Sequence, residues 1–173
     1  GQLGMTSRPQ RLPQLQAVAA IGQSFLVQAY ERHLRAHGHH AAQVLLTASD
    51  LDDRTRYLNV RNTLLALFEC GAVRIINEND TVSVEEFRTT FGDNDRLAAL
   101  VTNLLRAPLL IILSDVDGLY DGDPSDAGSK VIPTVTEFND STWAFVNDVR
   151  RAQSKGGMAS KLQAANIATR AGE

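Results

Sequence analysis

Two patterns of apolar residues alternate along the chain: stretches in which they recur every three or four positions, and short continuous apolar runs. Between residues 11 and 38, apolar and small side chains return every three or four positions, as on one face of a helix: Leu15, Val18, Gly22, Phe25, Leu26 and Ala29. Pro13 suits the first turn of that helix and Gly38 suits its end. Residues 43–47 form a short apolar run with the length of a buried strand. The pattern therefore predicts a helix that leads into a strand.

The same succession repeats further along the chain. A second helix is predicted from Asp52 or Asp53 to Cys70, ended by Gly71, and a third begins at Asp93 or Asn94. Buried strands are predicted at 72–77 and 108–114, with a long polar loop at 78–92. The expected core-facing side chains are Leu58, Thr63, Leu64, Leu65, Leu67 and Phe68 in the second helix and Leu97, Leu100, Val101, Leu104 and Leu105 in the third.

Beyond residue 114 the elements are shorter and less regular. An acidic, glycine-rich loop at 115–128 precedes a short edge strand at 131–135 and a weakly patterned helix at 136–151. A last helix is predicted at 158–171, with Leu162, Ala165 and Ile167 facing the core and Gly172 ending it. Helices that alternate with short buried strands are typical of an α/β domain, whose mostly parallel sheet is covered on both faces.

Charge and cysteine content narrow the class of protein. The chain of 173 residues has 17 basic and 20 acidic side chains, a net charge of −3, which argues against nucleic-acid binding. No apolar stretch is long enough to cross a membrane, and no secretory signal is visible. Because one cysteine cannot form an internal disulfide, Cys70 fits a reducing compartment, and we expect a cytoplasmic protein.

Polar residues cluster where the predicted strands end and helices begin. Ligands of open parallel sheets bind beyond the carboxyl ends of the strands. Residues 77–80 and 114–118 follow two strands, and residues 92–95 and 155–157 precede two helices. The free N–H groups at the start of a helix attract phosphate. Carboxylates repel phosphate, so carboxylates near it require a divalent cation between the two groups. The pattern indicates nucleotide–Mg²⁺ chemistry, with no P-loop and no dinucleotide fingerprint in the sequence.

Each of these patches also has a purely structural interpretation. Asp93 alone is a good helix N-cap, and Asn79 and Asp80 are common turn residues. The glycines before the last helix can be a flexible entry, and Lys161 can lie on a solvated helix face.

Seven segments, in order and covering nearly the whole chain, carry a resemblance to the glutamate 5-kinase family: residues 12–23, 43–47, 56–63, 76–80, 92–95, 114–120 and 156–161. The resemblance implies an amino-acid kinase fold, a three-layer αβα sandwich with a mainly parallel sheet, over residues 1–173. It also implies phosphoryl transfer from ATP–Mg²⁺ to the side-chain carboxylate of L-glutamate, the first step of proline biosynthesis. Proline as a feedback inhibitor and a homodimer or homotetramer follow from the same resemblance.

The resemblance also implies roles for individual residues. Asp80 and Asn94 would hold the glutamate, with Asn77 and Asp93 as weaker candidates. Lys161 would stabilise charge on the phosphoryl group in transfer, and Asp95 would orient that lysine. The expected contacts to ATP are Ser114, Asp115, Lys155, Gly156, Gly157, Met158, Ala159, Ser160 and Lys161. No resident metal site of the protein itself is expected.

The sequence departs from the family at three places. Lys155 stands where the family has a small residue. The family's first strand, with a phosphate-contacting lysine, is expected before Gly1, and further strands after Glu173, so we expect a fragment. Three alternatives stay open: the kinase half of a bifunctional pyrroline-5-carboxylate synthase, another acyl-phosphate-forming kinase such as N-acetylglutamate kinase, and a non-catalytic nucleotide- or proline-sensing module.

Overall fold

The computed structural model describes residues 9, 11–82, 94–147 and 157–170. They belong to two compact units, an N-terminal unit within Gly1–Thr90 and a C-terminal unit within Phe91–Glu173. The elements, in chain order, are α1 (Leu12–Arg35), β1 (His40–Leu46), α2 (Ala48–Asp52), α3 (Arg54–Glu69), β2 (Ala72–Glu78), α4 (Asn94–Leu105), α5 (Asp140–Asn147) and α6 (Met158–Arg170). In these ranges no helix combines the length and the apolar character needed to span a bilayer.

The N-terminal unit is built around two parallel strands. β1 and β2 pair in register from His40 opposite Ala72 to Leu46 opposite Glu78, and α3 makes the crossover between them. Gly38 and Gly71 follow α1 and α3 with φ of +78° and +70°, a left-handed conformation that side chains with a Cβ rarely adopt. These two glycines end the helices and turn the chain into each strand, as predicted.

The two long helices of this unit cover opposite faces of the sheet. The Gln43 amide of β1 donates to Gln23 of α1, 3.0 Å away. The Arg74 guanidinium of β2 reaches the Leu64 carbonyl of α3. Gln43 lies opposite Ile75 in the register, and neighbouring residues of a strand point to opposite faces. Gln43 and Arg74 therefore point to different faces, and the unit has the layer order helix, sheet, helix of the predicted α/β sandwich.

The face of α1 that meets the sheet differs from the predicted one. Glu31 accepts hydrogen bonds from the backbone N–H of Ala41, at 2.6 Å, and from His40, at 3.1 Å. The bond from Ala41, and then the one from His40, hold the pKa of Glu31 below its usual value. Phe25 and Leu26, predicted to face the core, are exposed instead. The face of α1 that meets β1 therefore contains Gln23 and Glu31, with the half-buried Val27 between them.

The turn after β1 contains a helix that the sequence pattern missed. The helix predicted from Asp52 or Asp53 to Cys70 corresponds to α3, and the unpredicted five-residue α2 lies just before it. Asp53 caps α3 by accepting from the Arg56 backbone N–H at 2.8 Å, so its predicted capping role is confirmed. In α3, Leu64 is fully buried as predicted and Leu67 is half-buried, whereas the other predicted core-facing residues are exposed: Leu58, Thr63, Leu65 and Phe68. The Arg74 guanidinium lies over the ring of Phe68, 5.1 Å from its centre.

In the C-terminal unit, α4 and α6 pack against each other and run in the same direction. The buried side chains are Leu97, Ala99, Val101 and Leu104 of α4 and Leu162 and Ala164 of α6. Asp95 near the start of α4 bonds to Lys161 near the start of α6. Further on, the Asn103 amide donates to the Ile167 carbonyl at 3.1 Å. The early residue of α4 contacts an early residue of α6, and the later residue contacts a later one, so the two helices run in the same direction. Their N-termini therefore lie at the same end of the pair.

The predicted strand at 108–114 is wrong for this structure. Residues 109–114 have no regular secondary structure, and in the described part of the C-terminal unit no strand pairs with them. Leu109, Ile111 and Leu113 are 70%, 71% and 88% exposed, while the alternate residues are half-buried. A strand exists through hydrogen bonds to a neighbour, and an apolar run alone supplies none.

The remaining predictions for this unit are met in part. The edge strand at 131–135 is reduced to one bridge, in which Val131 pairs antiparallel with Tyr120. Within the predicted helix at 136–151, the structure forms α5 over Asp140–Asn147, and residues 148–151 lie outside the described ranges. Asn139 caps α5 by accepting from the Thr142 backbone N–H at 3.1 Å. The last helix begins at Met158 as predicted.

Candidate functional site

Lys161 and Asp95 form an ion pair inside the C-terminal unit. The Lys161 Nζ lies 2.9 Å from the Asp95 Oδ2, and the side chains are 19% and 17% exposed. Asp95 is the second residue of α4 and Lys161 the fourth of α6, so each side chain is held by the first turn of a packed helix. Because α4 and α6 pack together, the carboxylate restrains the long lysine side chain where water is largely excluded.

The N-termini of α4 and α6 lie at the same end of the helix pair, and this end favours the binding of anions. The Gly157 carbonyl accepts from the backbone N–H groups of Ser160 and Lys161, which closes the first turn of α6. The first N–H groups of a helix have no partner within the helix, and the helix dipole places positive charge there. Asn94, the exposed first residue of α4, lies at the same end of the pair. The geometry suits a phosphate group that Lys161 can reach.

The predicted ATP contacts fall in three places. Met158, Ala159 and Ser160 form the first turn of α6, directly after Gly157. Lys155 and Gly156, and the weaker candidate Asp93, lie outside the described residues. Ser114 and Asp115 are exposed at the end of the extended segment, where the Ser114 hydroxyl accepts weakly from the Val116 backbone N–H at 3.5 Å.

The segment after Asp115 folds back on itself as an irregular hairpin. The backbone N–H of Ile132 donates to the Leu119 carbonyl at 2.7 Å, and that of Asp121 donates to Lys130 at 3.0 Å. A Cβ added to Gly118 would lie only 2.9 Å from the Val131 side chain. A side chain at residue 118 would therefore force Val131 to shift, a constraint on a position that the sequence pattern indicated only as loop.

Asp80 belongs to the N-terminal unit, where it projects from a turn at the end of β2. The Val82 backbone N–H donates to the Asn79 carbonyl at 3.2 Å, which places Asp80 and Thr81 at the centre of a β-turn. The Thr81 hydroxyl also donates to the Asn79 side chain. The carboxylate of Asp80 is exposed and, among the described residues, makes no hydrogen bond or ion pair. The side-chain oxygen of Asn77 already accepts a hydrogen bond from the Glu78 backbone N–H at 2.9 Å.

A polar network beside this turn was not among the predicted site residues. Asp50 of α2 accepts from the Thr47 backbone N–H and hydroxyl, both at 2.7 Å, and from Arg56 at 3.0 Å. Partial burial raises the pKa of Asp50, but the bonds from Thr47 and Arg56 together outweigh it and hold the pKa below its usual value. The pattern of Thr47 followed three residues later by an acid is the sequence signal that indicates such a network.

The donor set in the described ranges does not form a metal site of its own. No three side chains of His, Cys, Asp or Glu in those ranges come together closely enough to hold a metal ion. Mg²⁺ that enters with nucleotide phosphates usually keeps several waters and needs only one or two protein carboxylates. The exposed Asp115 has the chemistry for such a contact.

Comparison with known proteins places the chain in a family. A glutamate 5-kinase of Rhodopirellula baltica is 51% identical over 167 residues, which are 96% of this chain and 43% of that protein. Glutamate 5-kinases of Pseudomonas syringae pv. tomato and Myxococcus xanthus are 50% and 49% identical over 172 residues, 99% of this chain and 46% and 45% of theirs. The chain therefore spans less than half the length of these relatives. Since residues 2–173 match the amino acid kinase family, the chain belongs to that family.

Proposed function

We propose that the protein transfers the terminal phosphoryl group of ATP to the side-chain carboxylate of L-glutamate, giving L-glutamyl 5-phosphate, the first step of proline biosynthesis. The observation that carries the proposal is the partly buried Lys161–Asp95 pair at the shared N-terminal end of α4 and α6. It supplies a fixed cation at the positive end of two helix dipoles, in a chain about 50% identical to glutamate 5-kinases.

The chemistry of the acceptor explains why no general base is needed. A glutamate side chain has a reference pKa of about 4.3, so at neutral pH the attacking carboxylate is already ionised. Two anions must then be brought together, and charge neutralisation and positioning supply most of the acceleration. Lys161 neutralises charge on the phosphoryl group, and Asp95 keeps the ammonium in place as a positioning residue. Mg²⁺, when bound with ATP, neutralises further phosphate charge.

The remaining residues bind and orient the two substrates. By resemblance, Asp80 and Asn94 hold the glutamate, and a carboxylate and a side-chain amide have the chemistry to bind its ammonium and carboxylate groups. Ser114 and Asp115, with the first turn of α6, contact the nucleotide. Lys155 and Gly156 belong to the same contact by resemblance. Proline as feedback inhibitor and a homodimer or homotetramer accompany the proposal.

We place the protein in the cytoplasm. Cys70 is an exposed, free thiol at the C-terminal end of α3. It has no disulfide partner in the chain, which fits a reducing compartment.

A coupled assay for ADP release tests the proposed reaction on the purified full gene product. ADP release should require L-glutamate, and hydroxylamine should trap the acyl phosphate as a hydroxamate. Lys161→Met should lower turnover by about 1,000-fold, since it removes the main cation at the transition state. Lys130→Met removes an exposed lysine of the hairpin and should leave turnover unchanged. ADP release with N-acetylglutamate in place of glutamate, or with neither, would overturn the proposal.

A further inference from the structure

The network around Asp50 is larger than a five-residue helix needs. One carboxylate of α2 accepts three hydrogen bonds, two from Thr47 just before the helix and one from Arg56 in α3. A helix this short has almost no stability of its own, because nucleation fixes several residues for very few hydrogen bonds. Thr47 and Asp50 form the capping box of α2, in which Thr47 is the N-cap and Asp50 the third residue, and the bond from Arg56 extends the network to α3. Its inner member, Thr47, is the residue that directly follows β1.

The end of β1 is joined to the turn that carries Asp80. The backbone N–H of Asn79 donates to the Leu46 carbonyl at 2.8 Å, one step beyond the last paired residues of the sheet. Leu46 is the last residue of β1 and is buried, and Thr47 shares a peptide bond with it. Asp80 shares a peptide bond with Asn79. One chain of covalent and hydrogen bonds thus runs from Asp50 through Thr47, Leu46 and Asn79 to Asp80.

We propose that Asp50 is a positioning residue, which together with Arg56 fixes the carboxyl end of β1 and thereby the turn that presents Asp80. The inference rests on the proposed function, in which Asp80 binds the acceptor amino acid. Asp50 touches neither substrate in this scheme. Its loss frees the peptide between Leu46 and Thr47 to rotate, weakens the bond from Asn79 and spreads the carboxylate of Asp80 over several positions.

The direct test is amide hydrogen exchange at Asn79, measured by NMR on the purified protein. Asp50→Asn should speed exchange of the Asn79 amide about 10-fold or more, while the amides within β2 exchange at the unchanged rate. Asp52→Asn is the matched control: it removes an equal charge from the same short helix, at an exposed side chain. It should leave Asn79 exchange unaltered.

Kinetics separate positioning from general damage. Asp50→Asn should raise KM for glutamate about 5-fold to 10-fold, with kcat and KM for ATP within about 2-fold. Arg56→Gln removes only the outer bond, from a side chain that is 60% exposed, and gives the same test where Asp50→Asn fails to fold. Arg56→Lys, which keeps a cation next to Asp50, should restore part of the affinity for glutamate.

Two results would overturn the inference. One is wild-type exchange at Asn79 in both Asp50→Asn and Arg56→Gln, and the other is an equal rise in KM for ATP and for glutamate. Failure of the proposed function is visible separately, as an unsubstituted protein that releases no ADP with glutamate. Exchange at Asn79 then still decides whether Asp50 holds the end of β1.

Discussion

The ion pair between Asp95 and Lys161 predicts a measurable coupling between α4 and α6. At the observed separation of 2.9 Å, the Coulomb attraction is about 1.4 kcal/mol in water and about 6 kcal/mol at an effective dielectric constant of 20. The side chains are 17% and 19% exposed, so the environment lies between these limits, and the loss of hydration opposes the attraction. We expect a net coupling energy of about 2 kcal/mol.

A double-mutant cycle with Asp95→Asn, Lys161→Met and the combined variant measures this energy. Urea unfolding should be followed by tryptophan fluorescence, because Trp143 is the only tryptophan of the chain and lies in the C-terminal unit. Asp95→Asn alone should destabilise the unit by about 2–3 kcal/mol, since it leaves the Lys161 ammonium without its counter-charge. The free energy of unfolding of the double variant should exceed the additive expectation by the coupling energy.

The matched control cycle uses Asp140→Asn and Lys130→Met, which make equal charge changes in the same unit. These two side chains form no ion pair in the described ranges, so their effects should add to within about 0.5 kcal/mol. A coupling this small between Asp95 and Lys161 would refute the inference that the carboxylate holds the lysine in place.

The same variant distinguishes a positioning residue from a proton acceptor. Asp95→Asn should lower kcat about 100-fold at every pH, because a displaced lysine no longer meets the phosphoryl group. The acid limb of the pH–rate profile should remain, since it reports protonation of the glutamate substrate, whose reference pKa is about 4.3. Disappearance of that limb in Asp95→Asn would make the carboxylate a general base and contradict the role given to it.

Three further predictions concern stability. Arg106 ends α4 with φ of +51°, so Arg106→Gly should stabilise the chain by up to about 1 kcal/mol in urea unfolding. Folding lowers the pKa of Asp50, so the ionised carboxylate stabilises the protein at pH values above its ordinary pKa of 3.8. This stabilisation is lost as the pH falls through the lower pKa of the folded state. The unfolding free energies of Asp50→Asn and wild type should therefore converge in acid. Gly118→Ala brings a Cβ to 2.9 Å from Val131 and should cost about 1–3 kcal/mol, whereas Gly128→Ala, in open space at ordinary φ, should be neutral; equal effects would refute the packing argument.

The elements that the sequence predicts well are those with local causes. Gly38 and Gly71 end helices through their own backbone freedom, and Asp53 caps α3 through a bond to a residue three positions away. The buried face of α4 also follows from its spacing, since Leu97, Val101 and Leu104 are buried as predicted. In each case the information lies within one turn of the residue concerned, where a sequence pattern can represent it.

The predictions that failed depend on contacts distant in sequence. The sheet-facing side of α1 includes Gln23, whose partner Gln43 lies 20 residues away, and the helix has apolar side chains on more than one face. The run at 108–114 has the composition of a strand, but pairing is decided by a neighbour. The Lys161–Asp95 contact joins residues 66 apart, and only resemblance to a family, not spacing, pointed to it.

The apolar segment at 108–114 has a consequence for handling the protein. It combines high β-propensity with no charge, and its backbone pairs with no strand in the described part of its unit. Such a stretch is a template for cross-β association between molecules. Pro108, the first residue of the segment, and Asp115, directly after its end, act as gatekeepers, since neither is easily incorporated into a growing fibril. Replacing Asp115 for functional studies therefore also weakens a safeguard against aggregation, and loss of soluble protein in such a variant should not be mistaken for loss of activity.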